Sequence, residues 1–134
     1  MKSIKHQDNG AFTLVEIMIV VAIIGLLAAI AVPSFIRARQ RAQASTILSE
    51  ARQLDAGKDQ YALENSKTGT AAVSFSDLTP YLKAGSKLAG AGGSDALGNA
   101  FVIGDVSSRL QVSATTQSSL SAATNGGTFW GPYS

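Results

Sequence analysis

Residues 12–35, FTLVEIMIVVAIIGLLAAIAVPSF, restrict what this chain can become more than any other stretch of it. Residues 17–32 carry no charged or polar side chain, and Phe12, Leu14 and Val15 extend the apolar run to about 20 residues. As a helix rising ~1.5 Å per residue, that run covers ~30 Å, the thickness of a bilayer's hydrocarbon core. A helix apolar on every side must be buried in lipid or among other helices, and nothing else in a chain of 134 residues is able to surround it. Its cover is therefore lipid, or further copies of itself. Glu16 breaks the pattern: a carboxylate one turn into such a run is costly in hydrocarbon unless it is paired.

The remaining composition removes several classes of function. The length allows one domain plus an anchor, and 11 basic against 9 acidic residues leave a formal charge of only +2, with no basic patch that would call for nucleic acid. The chain has no cysteine, which excludes a disulfide scaffold, thiolate metal sites and thiol catalysis. Its single histidine, His6, lies ahead of the apolar run, so removal of a leader would also remove Ser-His-Asp catalysis and His-ligated zinc. No nucleophile, base and orienting group stand at telling spacings, and an enzyme is not expected.

Residues 1–11, MKSIKHQDNGA, are polar and include Lys2 and Lys5, as in the charged region of a secretory signal. The stretch beyond residue 11 does not fit an ordinary signal of that kind. The apolar run exceeds the usual length of about 7–15 residues and continues into further helix instead of a cleavage site. The small pair Gly10 and Ala11 precedes the run.

GAFTLVEIMIVVAIIGLLAAIAVP resembles the N-terminal segment of type IV prepilins and type II secretion pseudopilins. In that family a basic leader ends in a small residue, prepilin peptidase cuts there, and the new first residue, usually Phe, is N-methylated. The fifth residue is Glu and the twenty-second is commonly Pro. Counted from Phe12, Glu16 is fifth and Pro33 twenty-second. The resemblance thus implies cleavage between Ala11 and Phe12 and methylation of Phe12. The family prefers Gly at the cut where this chain has Ala11. Cutting after Gly10 would leave Ala11 first and Glu16 sixth, so the spacing favours the bond before Phe12.

Cleavage creates an ammonium on Phe12, and opposite charges attract far more strongly in low dielectric than in water. The carboxylate of one subunit then neutralises the ammonium of a neighbour, which makes Glu16 an assembly residue. A carboxylate snorkelling at the membrane edge is the plainer alternative. Gly25 and Pro33 weaken the helix where it would bend or leave the membrane, since proline removes a backbone hydrogen bond and clashes with the preceding turn. Charge bias conflicts with the resemblance over orientation. Arg37, Arg39 and Arg41 after the span outweigh Lys2 and Lys5 before it, which leans toward a cytoplasmic C-terminal side. The resemblance implies the reverse, a periplasmic head, and its motif is the more specific of the two. The three arginines read as a headgroup-facing or solvated face, or as contacts to acidic residues of neighbouring subunits.

Beyond Pro33, good helix formers continue to residue 64, interrupted only by Gly57. Ala44, Ile47, Ala51, Leu54 and Tyr61 fall on one face, with Arg52, Asp55 and Asp59 opposite. One helix over residues 12–64 is expected, its later part packed on a small head. Ten of the 13 glycines follow residue 64, which signals a loop-rich fold. SFSDLTPYL reads as a helical turn capped by Ser76 or Asp77. Residues 101–106 and 109–114 read as an antiparallel pair, with a third strand in 127–133. Phe129, Trp130 and Tyr133 read as the closure of a small core. Asp95, Gly98, Asn99 and Phe101 resemble, at matching positions, the Asp-Pro-Trp-Gly-Asn-Pro-Tyr turn of major pseudopilins. Those proteins also carry a calcium loop after their strands. No Asp or Glu follows Asp105 here, and calcium requires several oxygen ligands with negative charge, so no cofactor is expected.

The expected fold is α+β and pilin-like: a leader at 1–11, a membrane-spanning assembly helix at 12–35, its amphipathic continuation at 36–64, and a small antiparallel β-sheet head at 65–134. The resemblance implies a filament subunit of the bacterial inner membrane, most simply a type II secretion pseudopilin. Its partners would be copies of itself, prepilin peptidase, an inner-membrane assembly platform and minor pseudopilins. A type IV pilin for adhesion, motility or DNA uptake is the near alternative, and a non-polymerising, membrane-anchored binding module the distant one.

Overall fold

A computed structural model describes residues 10–134. Residues 1–9 of the expected leader, with Lys2, Lys5 and His6, lie outside the described part. The chain forms two compact units, one ending at Ile36 and the other Arg37–Ser134.

Helix α1, Leu14–Glu64, is 51 residues long and contains Pro33 without ending there. In the first unit none of its side chains is buried among the described residues. Phe12 is 82% exposed and Leu27 62%, and an 18-residue window of mean hydropathy 2.9 has none of its residues buried. By length and composition this helix is able to cross a membrane.

In the second unit α1 supplies one wall of a core. Ala44, Ile47, Ala51 and Leu54 are fully buried and Tyr61 packs at the margin, which is the face that the spacing defines. The helix ends in a left-handed turn: Ser66 has φ 50°, and Lys67 N donates to Ala62 O at 2.9 Å. This is the Schellman arrangement with serine where glycine is usual.

The head is a chain of short helices. Helix α2 is Phe75–Leu78, followed by a 3-10 turn over Thr79–Tyr81. Its N-cap is Ser74, ahead of the expected Ser76 or Asp77. Asp77 Oδ2 reaches back to accept from Ser74 N at 2.9 Å and from Ser74 Oγ at 2.7 Å. Helix α3, Lys87–Gly90, starts where Ser86 Oγ accepts from Ala89 N. Helix α4, Ala114–Ser119, is capped by Ser113, and α5, Ser121–Thr124, ends at Asn125 in the left-handed region. Two 3-10 turns, Gly126–Phe129 and Gly131–Tyr133, complete the chain. They bury Trp130 and Tyr133 in the core.

The expected β-sheet does not form as strands among the described residues. Three isolated antiparallel bridges stand in its place: Ala72 with Asp105, Ser94 with Ala100, and Val102 with Gln111. Val102 and Gln111 exchange both backbone bonds at 2.9 Å, but the pairing stops there. On one side Gly104 turns the chain at φ +69°, and Asp105 binds its own turn through Ser107 and Ser108. On the other side Ser113 begins α4 instead of continuing a strand. Side chains that bond locally offer the backbone an alternative to a ladder. The expected third strand over 127–133 is largely 3-10 helix, linked to this region by Val112 N donating to Tyr133 O at 2.8 Å and by the Arg109 guanidinium 6.0 Å from the centre of the Tyr133 ring.

Candidate functional site

The expected processing and assembly residues lie together at the start of α1. Gly10, Ala11, Phe12 and Thr13 precede the helix and are exposed, so the bond before Phe12 lies outside helical structure. Glu16 is in the first turn. Thr13 N donates to Glu16 Oε2 at 2.8 Å, and Glu16 N donates to Thr13 Oγ1 at 3.3 Å. This reciprocal pair is a capping box, which satisfies two of the backbone donors that a helix start leaves without partners. Its signature, Thr13 followed three residues later by Glu16 and then an apolar run, is legible in the sequence, although Glu16 stands out there as a misplaced charge and an assembly residue rather than as a cap. The box also sets the carboxylate at the positive end of the helix dipole. A carboxylate offers about four lone-pair sites, so a bond to Thr13 leaves capacity for a second donor such as an ammonium. Gly25 is exposed on α1 with nothing within 4 Å of an added Cβ, and Pro33 lies inside the helix.

The arginines after the span divide. Arg37 and Arg39 are exposed, whereas Arg41 Nε donates to Ala123 O at 3.0 Å and ties α5 to α1.

Within the head the best-built polar feature is the turn around Asp95, which is 5% exposed. Its Oδ1 accepts from Leu97 N and Asn99 N, each at 2.9 Å, and its Oδ2 accepts from Thr116 Oγ1. Asn99 Nδ2 closes the circuit onto the same Thr116 Oγ1 at 2.9 Å. The residues that resemble the pseudopilin turn are thus a structural joint between that turn and α4. Beside it a cavity of about 330 Å³ is lined by Thr46, Glu50, Lys87, Ser94 and Asp95. Burial raises the Glu50 carboxyl above the usual carboxylate range, and the nearby Asp95 adds to the shift. Glu50 Oε2 has no hydrogen-bond partner among the described residues.

Asp55, expected on the solvent side, faces the head instead: its Oδ1 accepts from Leu110 N at 3.5 Å and lies 3.7 Å from Lys58 Nζ. Lys58 itself is buried, which its type does not announce.

A family model described as the prokaryotic N-terminal methylation motif matches residues 7–32. The chain is 35% identical over 66 residues to type II secretion system core protein G of Klebsiella michiganensis, covering 49% of this chain and 46% of that protein. It is 37% identical over 95 residues to type IV major fimbrial protein FimA of Dichelobacter nodosus, covering 71% of this chain and 54% of the relative. Over 40 residues it is 58% identical to type IV major pilin protein PilA of Myxococcus xanthus, covering 30% of this chain and 18% of that one. No solved structure matches the chain. The chain thus carries a prepilin-type N-terminal motif and is similar, over that motif and the helix that follows, to type IV pilins and type II secretion core proteins. It spans about half the length of the curated relatives named first.

Proposed function

We propose that this chain is a structural subunit, not an enzyme, of a type IV pilus-like filament, and that it serves as a type II secretion pseudopilin. Prepilin peptidase cuts between Ala11 and Phe12, Phe12 is N-methylated, and the mature chain resides in the inner membrane with its head in the periplasm. An assembly platform and minor pseudopilins then draw it into a filament cored by the apolar part of α1. Contact with sister helices replaces contact with lipid there, and Glu16 paired with a neighbour's Phe12 ammonium sets the register. Gly25 and Pro33 are the points at which α1 loosens on leaving the membrane. In this reading the head is a reduced α+β unit whose three bridges stand where a pilin's sheet would be.

The observation that carries the proposal is a carboxylate, fifth counting from Phe12, on an apolar helix whose membrane-length window is nowhere buried among the described residues. The test is Glu16→Ala in a strain that makes filaments. The variant enters the membrane fraction at the normal level and yields no filaments; abundant filaments would refute the assembly role. The likeness to FimA, which reaches beyond α1 into the head, favours a true type IV pilin as the second reading. Loss of surface pili with normal secretion, on deleting the chain, would select it. Monomers indifferent to Glu16 would instead indicate an anchored binding module.

A further inference from the structure

Lys58 is 2% exposed, one of the largest fully buried side chains in the molecule. Its ammonium has three N–H groups and meets three oxygens. Nζ donates to Ser108 O and, at 3.4 Å, to Ile103 O, and it lies 3.7 Å from Asp55 Oδ1. The two carbonyls come from either end of one loop, 45 and 50 residues along the chain from the lysine. Between them Gly104 and Asp105 make the turn that stops strand pairing. A buried ammonium survives only where such acceptors replace its water.

Calcium, implied by the resemblance to major pseudopilins, does not fit the residues present. It takes six to eight oxygens, several of them carboxylates. The last acidic side chain, Asp105, is engaged by Ser107 and Ser108 within its own turn. The loop's inward carbonyls already face a cation, and farther on Ala123 O faces the guanidinium of Arg41. A divalent ion placed on Ile103 O and Ser108 O would be repelled by the ammonium that holds them.

We propose that Lys58 is a tethered cation of the head: carried on α1, it gathers the carbonyls of loop 103–108 and performs the loop-closing role of a bound divalent ion. The head therefore folds independently of calcium. This holds whatever the filament does, and it makes the loop's order depend on α1.

The single tryptophan, Trp130, is 1% exposed in the head core and reports on the head within the full chain in detergent. Its emission is followed during heating for the wild type, for Lys58→Met, which keeps the stem and loses the charge, and for Lys58→Arg. The wild-type midpoint is expected to be the same in excess EDTA and in millimolar calcium. Lys58→Met lowers it by about 10 °C or more, or abolishes the native emission, and exposes loop 103–108 to protease. Lys58→Arg keeps the native emission and the loop's protection. A wild-type midpoint raised by calcium or lowered by EDTA would overturn the proposal. So would a Lys58→Met protein that matches the wild type, or loss of the native emission in both variants, which would assign the effect to packing alone.

Discussion

Thr13 and Glu16 satisfy each other at the head of α1, amide to carboxylate at 2.8 Å and amide to hydroxyl at 3.3 Å. The acid that would be a liability in an apolar rod is thereby also the residue that starts the rod. Capping and the proposed pairing with a neighbouring subunit would use different lone pairs of one carboxylate, so the two roles are separable by mutation. Thr13→Val removes the hydroxyl but keeps the charge. Amide exchange in the first turn of α1 should quicken, consistent with loss of a cap worth about 1 kcal/mol, while filaments still form. Glu16→Ala loses both roles, and hydrogen exchange alongside electron microscopy distinguishes the two variants.

Asp95 is the keystone of its turn, accepting from two backbone amides and Thr116. Asp95→Ala leaves the buried Thr116 hydroxyl and two part-buried backbone amides without their acceptor and should cost about 2–3 kcal/mol. Denaturant melts followed by Trp130 measure this directly. Asn99→Ala, which removes only the bond to Thr116, should cost about 1 kcal/mol.

Two backbone positions invite stabilisation. Ser66→Gly relieves a left-handed residue at the end of α1 and should add about 1 kcal/mol. Gly57 is helical, and a Cβ there would meet Tyr81 Cβ at 3.6 Å, an ordinary contact. Gly57→Ala should therefore add about 0.5–1 kcal/mol through helix propensity. Lower midpoints in these variants would contradict the geometry at both sites.

Acid should act on the head in two opposing ways. Bonds from Ser74 hold the Asp77 carboxyl below its usual range, and bonds from Ser108 do the same for Asp105. A lowered folded-state pKa contributes stability above the ordinary carboxylate value, and that contribution is lost as pH falls through the lowered one. Glu50 is raised above 4.5 by burial and by Asp95, so its contribution is present below 4.5 and lost as pH rises through the raised value. Glu50→Gln should accordingly raise the midpoint at pH 7 by a few degrees, about 4 °C or less, and change little in acid. A lower midpoint at pH 7 would show that the charged form is needed.

The apolar run, the position of Glu16 within it and the buried face at Ala44, Ile47, Ala51 and Leu54 are legible in the sequence because each depends on local spacing along one helix. Lys58 occupies the vacant step of that same face, midway in the interval between Leu54 and Tyr61. Its charge gives it the look of a surface residue, and only the carbonyls of Ile103 and Ser108 make its burial tolerable. The sheet fails to form for a related reason. The pattern of residues 101–106 suits a strand, yet Gly104, the Asp105 turn and the Ser113 cap each divert the backbone into local bonds.

By itself the sequence determined that α1 exists, that its first part is apolar on every side, and that one carboxylate, Glu16, stands four residues beyond Phe12. These follow from hydrophobic periodicity and counting, which operate over a few turns of helix. Only the tertiary structure decided which polar groups the head buries and how its loops close. Lys58, Asp95 and Arg41 find oxygens or donors far along the chain, and whether a buried charge is tolerated depends on partners that only folding brings within reach.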